Sequence, residues 1–245
     1  MTLLDGVHLS PAYERAYARL IDRVAADPRI SPRETSLFWP NVGRKYDGDL
    51  LLVGRAVNGW IDRWDLDESG GSRQIAATAR GTAEDSVNGC PMGWVLDRWK
   101  RGDEEYDTSR SQFWVTAREV TLAGYPERQA DWPSHLAWSN LAKVSRWTKG
   151  NPSWRLRQAQ LPAATELLAL DVEELAPRRV LVLAGREWFE PYARALGLVC
   201  EWRQGLVEGA AHDGDRHWVI AVHPMTRSPR AVAVASVAAF GSSSR

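Results

Sequence analysis

Apolar positions along the chain follow two rhythms, one with helical spacing and one of short unbroken runs. Tyr13, Tyr17, Leu20, Ile21 and Val24 recur at helical intervals behind Ser10-Pro11, a favourable helix start, and Asp27-Pro28 closes the segment. Residues 111–122, 156–175, 187–196 and 231–240 also read as helices, the third closed by Gly197. Between them lie compact apolar runs. Leu50-Leu51-Leu52-Val53 ending at Gly54, 135–138 leading into Ser139-Asn140, 178–184, and 218–222 ending at His223-Pro224 are predicted to be strands. Strands alternating with helices imply parallel crossovers. The expected fold is α/β, a three-layer α/β/α sandwich with a mainly parallel sheet of about four strands. Residues 1–240 are read as one domain, with 62–107 as an irregular insertion holding one short helix and 241–245 as a disordered tail.

Charge and composition narrow the function classes. Thirty-one basic residues balance thirty-one acidic ones, so the surface as a whole is not a nucleic-acid clamp. Two cysteines, Cys90 and Cys200, are too few for a disulfide framework or a four-thiolate zinc or iron-sulfur centre, and a reducing cytoplasm is the expected setting. No secretory leader or membrane span is read, and a monomer without membrane contact is expected. Thirteen tryptophans against four phenylalanines add indoles that either pack the core or stack on bases.

Three strand ends carry candidate chemistry, each with an ordinary structural reading beside it. Gly54-Arg55-Ala56-Val57-Asn58-Gly59-Trp60 has the glycines for a sharp turn and close ligand approach, yet it is neither a Walker loop nor a dinucleotide fingerprint. Asn140 presents a carboxamide able to read a base edge or to hold a turn. His223 stands where a sheet offers chemistry, or it caps a strand. After Asn140, Lys143, Arg146, Lys149, Arg155 and Arg157 occur with no carboxylate between Trp132 and Thr165, interleaved with Trp147 and Trp154. That pattern fits a nucleic-acid surface better than a solvated helix face, which mixes signs.

In order and spacing these motifs resemble the uracil-DNA glycosylase superfamily. Ser139 to Lys143 is similar to its Thr-Asn-x-x-Lys motif, and His223-Pro224 is similar to the His-Pro of its last motif. The likeness runs from about Leu50 to Phe240, omits 62–107, and excludes the iron-sulfur branches by cysteine count. It implies a monofunctional hydrolase of N-glycosyl bonds that flips a pyrimidine out of DNA, its partner, leaves an abasic site, and needs neither metal nor organic cofactor. His223 would stabilise the departing base; Asn140, Gly54, Ala56 and Trp60 would hold it, with Trp94 as another stacking candidate. Lys143, Arg146, Lys149, Arg227 and Arg230 would contact phosphates, and Met225 or Arg227 would fill the vacated stack.

Two departures are informative. Ala56 stands where the uracil-specific motif has its water-positioning aspartate, leaving Asn58, Asp62 or Asp65 for that task. Asn58 stands where that motif has the tyrosine that closes the C5 side, so a bulky C5-modified pyrimidine of phage DNA, and hence antiviral defence, is expected alongside uracil. A catalytically silent nucleic-acid binder of the same fold and an enzyme acting on free nucleotides or nucleosides stay open as alternatives.

Overall fold

The computed structural model describes residues 10–31, 35–56, 64, 70–85, 87, 89–100, 106–147 and 150–241. Helix α1 (Pro11–Ala25) buries Tyr13, Tyr17, Leu20, Ile21 and Val24, and Pro11 sits in the first turn, where a missing N–H costs no hydrogen bond. Two short strands, β1 (Thr35–Leu37) and β2 (Asn41–Val42), precede β3 (Leu50–Gly54), which is buried along its whole length. Helices α2 (Ser72–Glu84), α3 (Gly93–Asp97) and α4 (Gln112–Gly124) lead to β4 (Leu136–Asn140) and β5 (Val144–Arg146). The chain continues through α5 (Trp154–Leu175), β6 (Arg179–Val182) and α6 (Arg186–Ala195). Strands β7 (Glu201–Trp202), β8 (Val207–Asp213) and β9 (Arg216–Ala221) and helix α7 (Pro229–Gly241) complete it.

Among the described residues seven strands form the main sheet in the order β2-β4-β3-β6-β9-β8-β7, which corrects the expected count of about four. The four strands read from the sequence are the central ones, and β4, β3, β6 and β9 run parallel. Those missed are the antiparallel margins β2, β8 and β7, while β1 and β5 pair as a separate ribbon. The reason is physical. A strand buried on both faces is an unbroken apolar run, whereas a marginal strand such as Val207–Asp213 mixes apolar and polar residues.

Successive residues of the central strands divide between two hydrophobic clusters. Leu51, Val53, Val180, Val182, Trp218 and Ile220 join residues of α1, α2, α5 and α6 in one. Leu50, Leu52, Leu181, Val219 and Ala221 join residues of α3, α4 and α7 in the other. Among the described residues seven tryptophans are buried (Trp39, Trp64, Trp114, Trp132, Trp138, Trp188 and Trp218), so most of these indoles serve packing.

The described part of 62–107 is not the irregular insertion expected. Helix α2 places Ile75, Ala76, Ala79 and Ala83 in the first cluster and packs against α1. Its small residues allow a close helix–helix approach but give a weak apolar signal in the sequence. The tail 242–245 lies outside the described residues, and α7 runs through Gly241. Among the described residues no helix is long and apolar enough to cross a membrane.

Candidate active site

The strand order creates a topological switch point between β3 and β6. From β3 the chain passes to β4 on one side, and from β4 it returns to β6 on the other. In open α/β sheets the crevice beyond the carboxyl ends of the strands at such a point is where ligands bind.

On the β4 side, Gly54 and Asn140 are register partners in the parallel ladder. The following turns stay joined, with Leu141 N–H donating to Gly54 O and Ala142 N–H to Arg55 O, both at 2.9 Å. The Asn140 carboxamide lies over Gly54, so a Cβ there would collide with Asn140 Oδ1, and Phe113 would crowd it at 3.3 Å. Asn140 is 1% exposed, and its Nδ2 meets no hydrogen-bond acceptor among the described residues. A buried donor without a partner is costly, which makes this amide a candidate for a ligand's acceptor.

The turn is anchored from behind by a fully buried polar network. Lys143 Nζ donates to Asp171 Oδ2 at 2.7 Å and to Ser139 Oγ, Ser139 Oγ donates to the same carboxylate oxygen at 2.6 Å, and Tyr13 OH donates to Asp171 Oδ1. Burial pulls the Lys143 ammonium below its ordinary pKa, opposed by Asp171. Lys143 is therefore not a phosphate contact, and the expectation that it binds DNA is corrected: at 0% exposed, its charge is consumed inside the protein.

On the other side, Arg55 crosses the switch point, its Nε donating to Ala184 O at 2.8 Å. Its guanidinium lies 5.3 Å from the Trp188 ring centre, and that of Arg157 lies 4.4 Å from the same centre. Burial, more than any neighbouring charge, lowers the Arg55 pKa. His223 follows β9, and its Nδ1 accepts the Met225 N–H at 3.3 Å. That bond leaves the ring proton on Nε2. Burial first, and the Arg55 charge second, hold the imidazole pKa down to about 4, so the ring is neutral at physiological pH. Beside it, Met225 is 64% exposed on the single turn Pro224–Thr226.

The remaining candidates divide. Arg146, Arg227 and Arg230 are exposed, and Ala56 offers no polar side chain. Asn58, Trp60, Asp62, Asp65 and Lys149 lie outside the described residues. Within the basic segment, Arg155 pairs with Asp27 at 3.6 Å, Arg157 packs on Trp188, and Trp154 projects outward. Trp94 packs against Trp114 and Trp138 in the core, with centroids at 5.3 and 5.9 Å. Asp171, Gly185, Trp188 and Glu208 were missed. Gly185, between a strand and a helix, carried a usable signal; Glu208 carried none, because its strand was not recognised.

A concavity of about 650 Å³ lies at the opposite edge of the sheet, lined by residues such as Asp49, Arg179 and His217 at the amino ends of the parallel strands. It is remote from the Asn140 amide and the neutral imidazole, which lie at the carboxyl ends of the strands. Among the described residues no cluster of three or more His, Cys, Asp or Glu is arranged to hold a metal ion. No protein-family model matches the chain. No curated protein sequence matches it.

Proposed function

We propose that this protein is a DNA glycosylase that flips a pyrimidine from the stack and hydrolyses its N-glycosidic bond. The observation that carries the reading is the buried, unpartnered Asn140 amide at the carboxyl edge of a sheet whose His223 is neutral. The two hydrophobic clusters on opposite strand faces support a three-layer α/β/α sandwich of the kind that the superfamily resemblance implies.

Each group has a task on this reading. Extrusion costs unstacking, which the exposed Met225 side chain offsets by entering the gap, while Arg227 and Arg230 hold phosphates. Asn140 reads the polar edge of the base, its Nδ2 donating to a ring or carbonyl acceptor. As the C1′–N1 bond breaks, negative charge gathers on the departing pyrimidine, and His223 donates from Nε2 to the oxygen that receives it. Such a donor lowers the barrier by about 3–4 kcal/mol. A neutral imidazole suits this role, since it stabilises the anion without protonating the base prematurely. Asn58 in place of the family tyrosine favours a pyrimidine bulky at C5, consistent with a role against modified phage DNA in the cytoplasm.

The test is abasic-site formation on uracil-containing, unmodified and C5-hypermodified DNA by the protein and by His223→Ala. Abasic sites in one substrate, lost with the imidazole, support the proposal. Ala56, which lacks the activating carboxylate of the uracil-specific motif, favours the silent-binder alternative, and DNA binding without abasic sites is its signature.

A further inference from the structure

On the glycosylase reading, Ala56 offers the attacking water no carboxylate, and a carboxylate from an element that the motifs do not reach stands at the switch point. Strand β8 carries a bulge: Val207 pairs with Ala221 and Gly209 with Ile220, so Glu208 is an extra residue with no ladder partner. Bulges of this kind re-aim a side chain and are frequent beside active sites. Here Glu208 Oε2 reaches the switch point and accepts the Arg186 N–H at the start of α6 at 2.6 Å.

Gly185 keeps space open in front of that carboxylate. Its φ is +81°, and the point where a side-chain carbon would stand lies 3.1 Å from Glu208 Oε2, 3.7 Å from Arg55 Nη2 and 4.0 Å from the His223 amide nitrogen. A carboxylate oxygen, a guanidinium nitrogen and the backbone of the proposed catalytic histidine thus converge within 4.0 Å of one point beside Gly185. Arg55 and Glu208 feel each other's charge across it without closing into an ion pair. Glu208 Oε1 receives no hydrogen bond from the described residues. Glu187, which also acts on Arg55, is exposed.

We infer that Glu208 is the general base of the proposed hydrolysis, a role that rests on the glycosylase reading. Water held between Glu208 and Arg55 gives its proton to the Glu208 carboxylate as its oxygen bonds to C1′. The C1′–N1 bond breaks, and its electron pair leaves with the pyrimidine, whose oxygen is held by His223 Nε2–H. The proton then passes from Glu208 to the released base or to solvent. The sum is one water consumed, one free base and one abasic sugar, with no redox change.

Glu208→Gln separates chemistry from architecture, because the glutamine oxygen still accepts the Arg186 N–H while the basic carboxylate is gone. On the substrate that wild type cleaves, kcat is expected to fall about a hundredfold or more. DNA affinity and melting temperature should hold, and formate should restore part of the turnover of Glu208→Ala. The inference is overturned if E208Q turns over within a fewfold of wild type, or if activity falls only together with melting temperature and formate restores nothing, which marks a helix cap. If wild type releases no base from any substrate, the glycosylase reading itself fails and this role falls with it; active wild type with active E208Q removes this role alone.

Discussion

His223 owes its proposed role to its surroundings. An exposed imidazole is half protonated near its ordinary 6.5, whereas burial and Arg55 bring this one to about 4. Between those values the folded chain binds fewer protons at this ring than the unfolded chain does. The associated stability is present above pH 6.5 and is lost as pH falls through about 4. NMR titration should show the His223 ring unchanged from pH 7.5 to 5.5, and a midpoint near 6.5 would contradict the buried environment. Lys143 teaches the opposite lesson about reading residues from sequence. Its place in a carboxylate-free stretch pointed to DNA, but its partner Asp171 lies a full helix away and was invisible to local pattern. Lys143→Met strands a buried carboxylate, and urea unfolding should show a loss of about 3–5 kcal/mol. A surface phosphate contact would instead leave stability nearly unchanged and reduce the salt dependence of DNA binding.

Elements were legible in proportion to how completely they are buried. The runs that became β3, β4, β6 and β9 announce themselves, and with them came Gly54, Asn140 and His223 at their carboxyl ends. Helix α2 did not, because Ala76, Ala79 and Ala83 bury little apolar area each and the surrounding residues are polar. Ile75→Ala tests whether this helix belongs to the core. Thermal or urea unfolding should register about 2–5 kcal/mol lost, and a change within roughly 0.5 kcal/mol would return the segment to the surface. The β8–β9 hairpin was missed although Gly214-Asp215, the two-residue loop between the paired Asp213 and Arg216 with Gly214 at φ +57°, is a recognisable hairpin signal. With that hairpin went Glu208, since a bulge is a property of pairing between strands and leaves no trace in one strand read alone.

At the scale of the whole molecule, the strand order concentrates unlike chemistry at one edge. The Asn140 turn is tied to Arg55 through the backbone, and the Arg55 charge acts on His223 across the switch point. On the proposed function, this continuity is what would bring the Asn140 amide and the His223 imidazole to one ligand, although they belong to strands separated by β3 and β6. On the proposed function, N-glycosidic bonds of DNA are broken at this edge. Mass spectrometry of the small molecules released from uracil-containing and C5-hypermodified DNA tests it most directly, with wild type and His223→Ala in parallel. One free pyrimidine base is expected from wild type and nearly none from the variant. DNA bound by both proteins with no base released, or equal release by both, would contradict it.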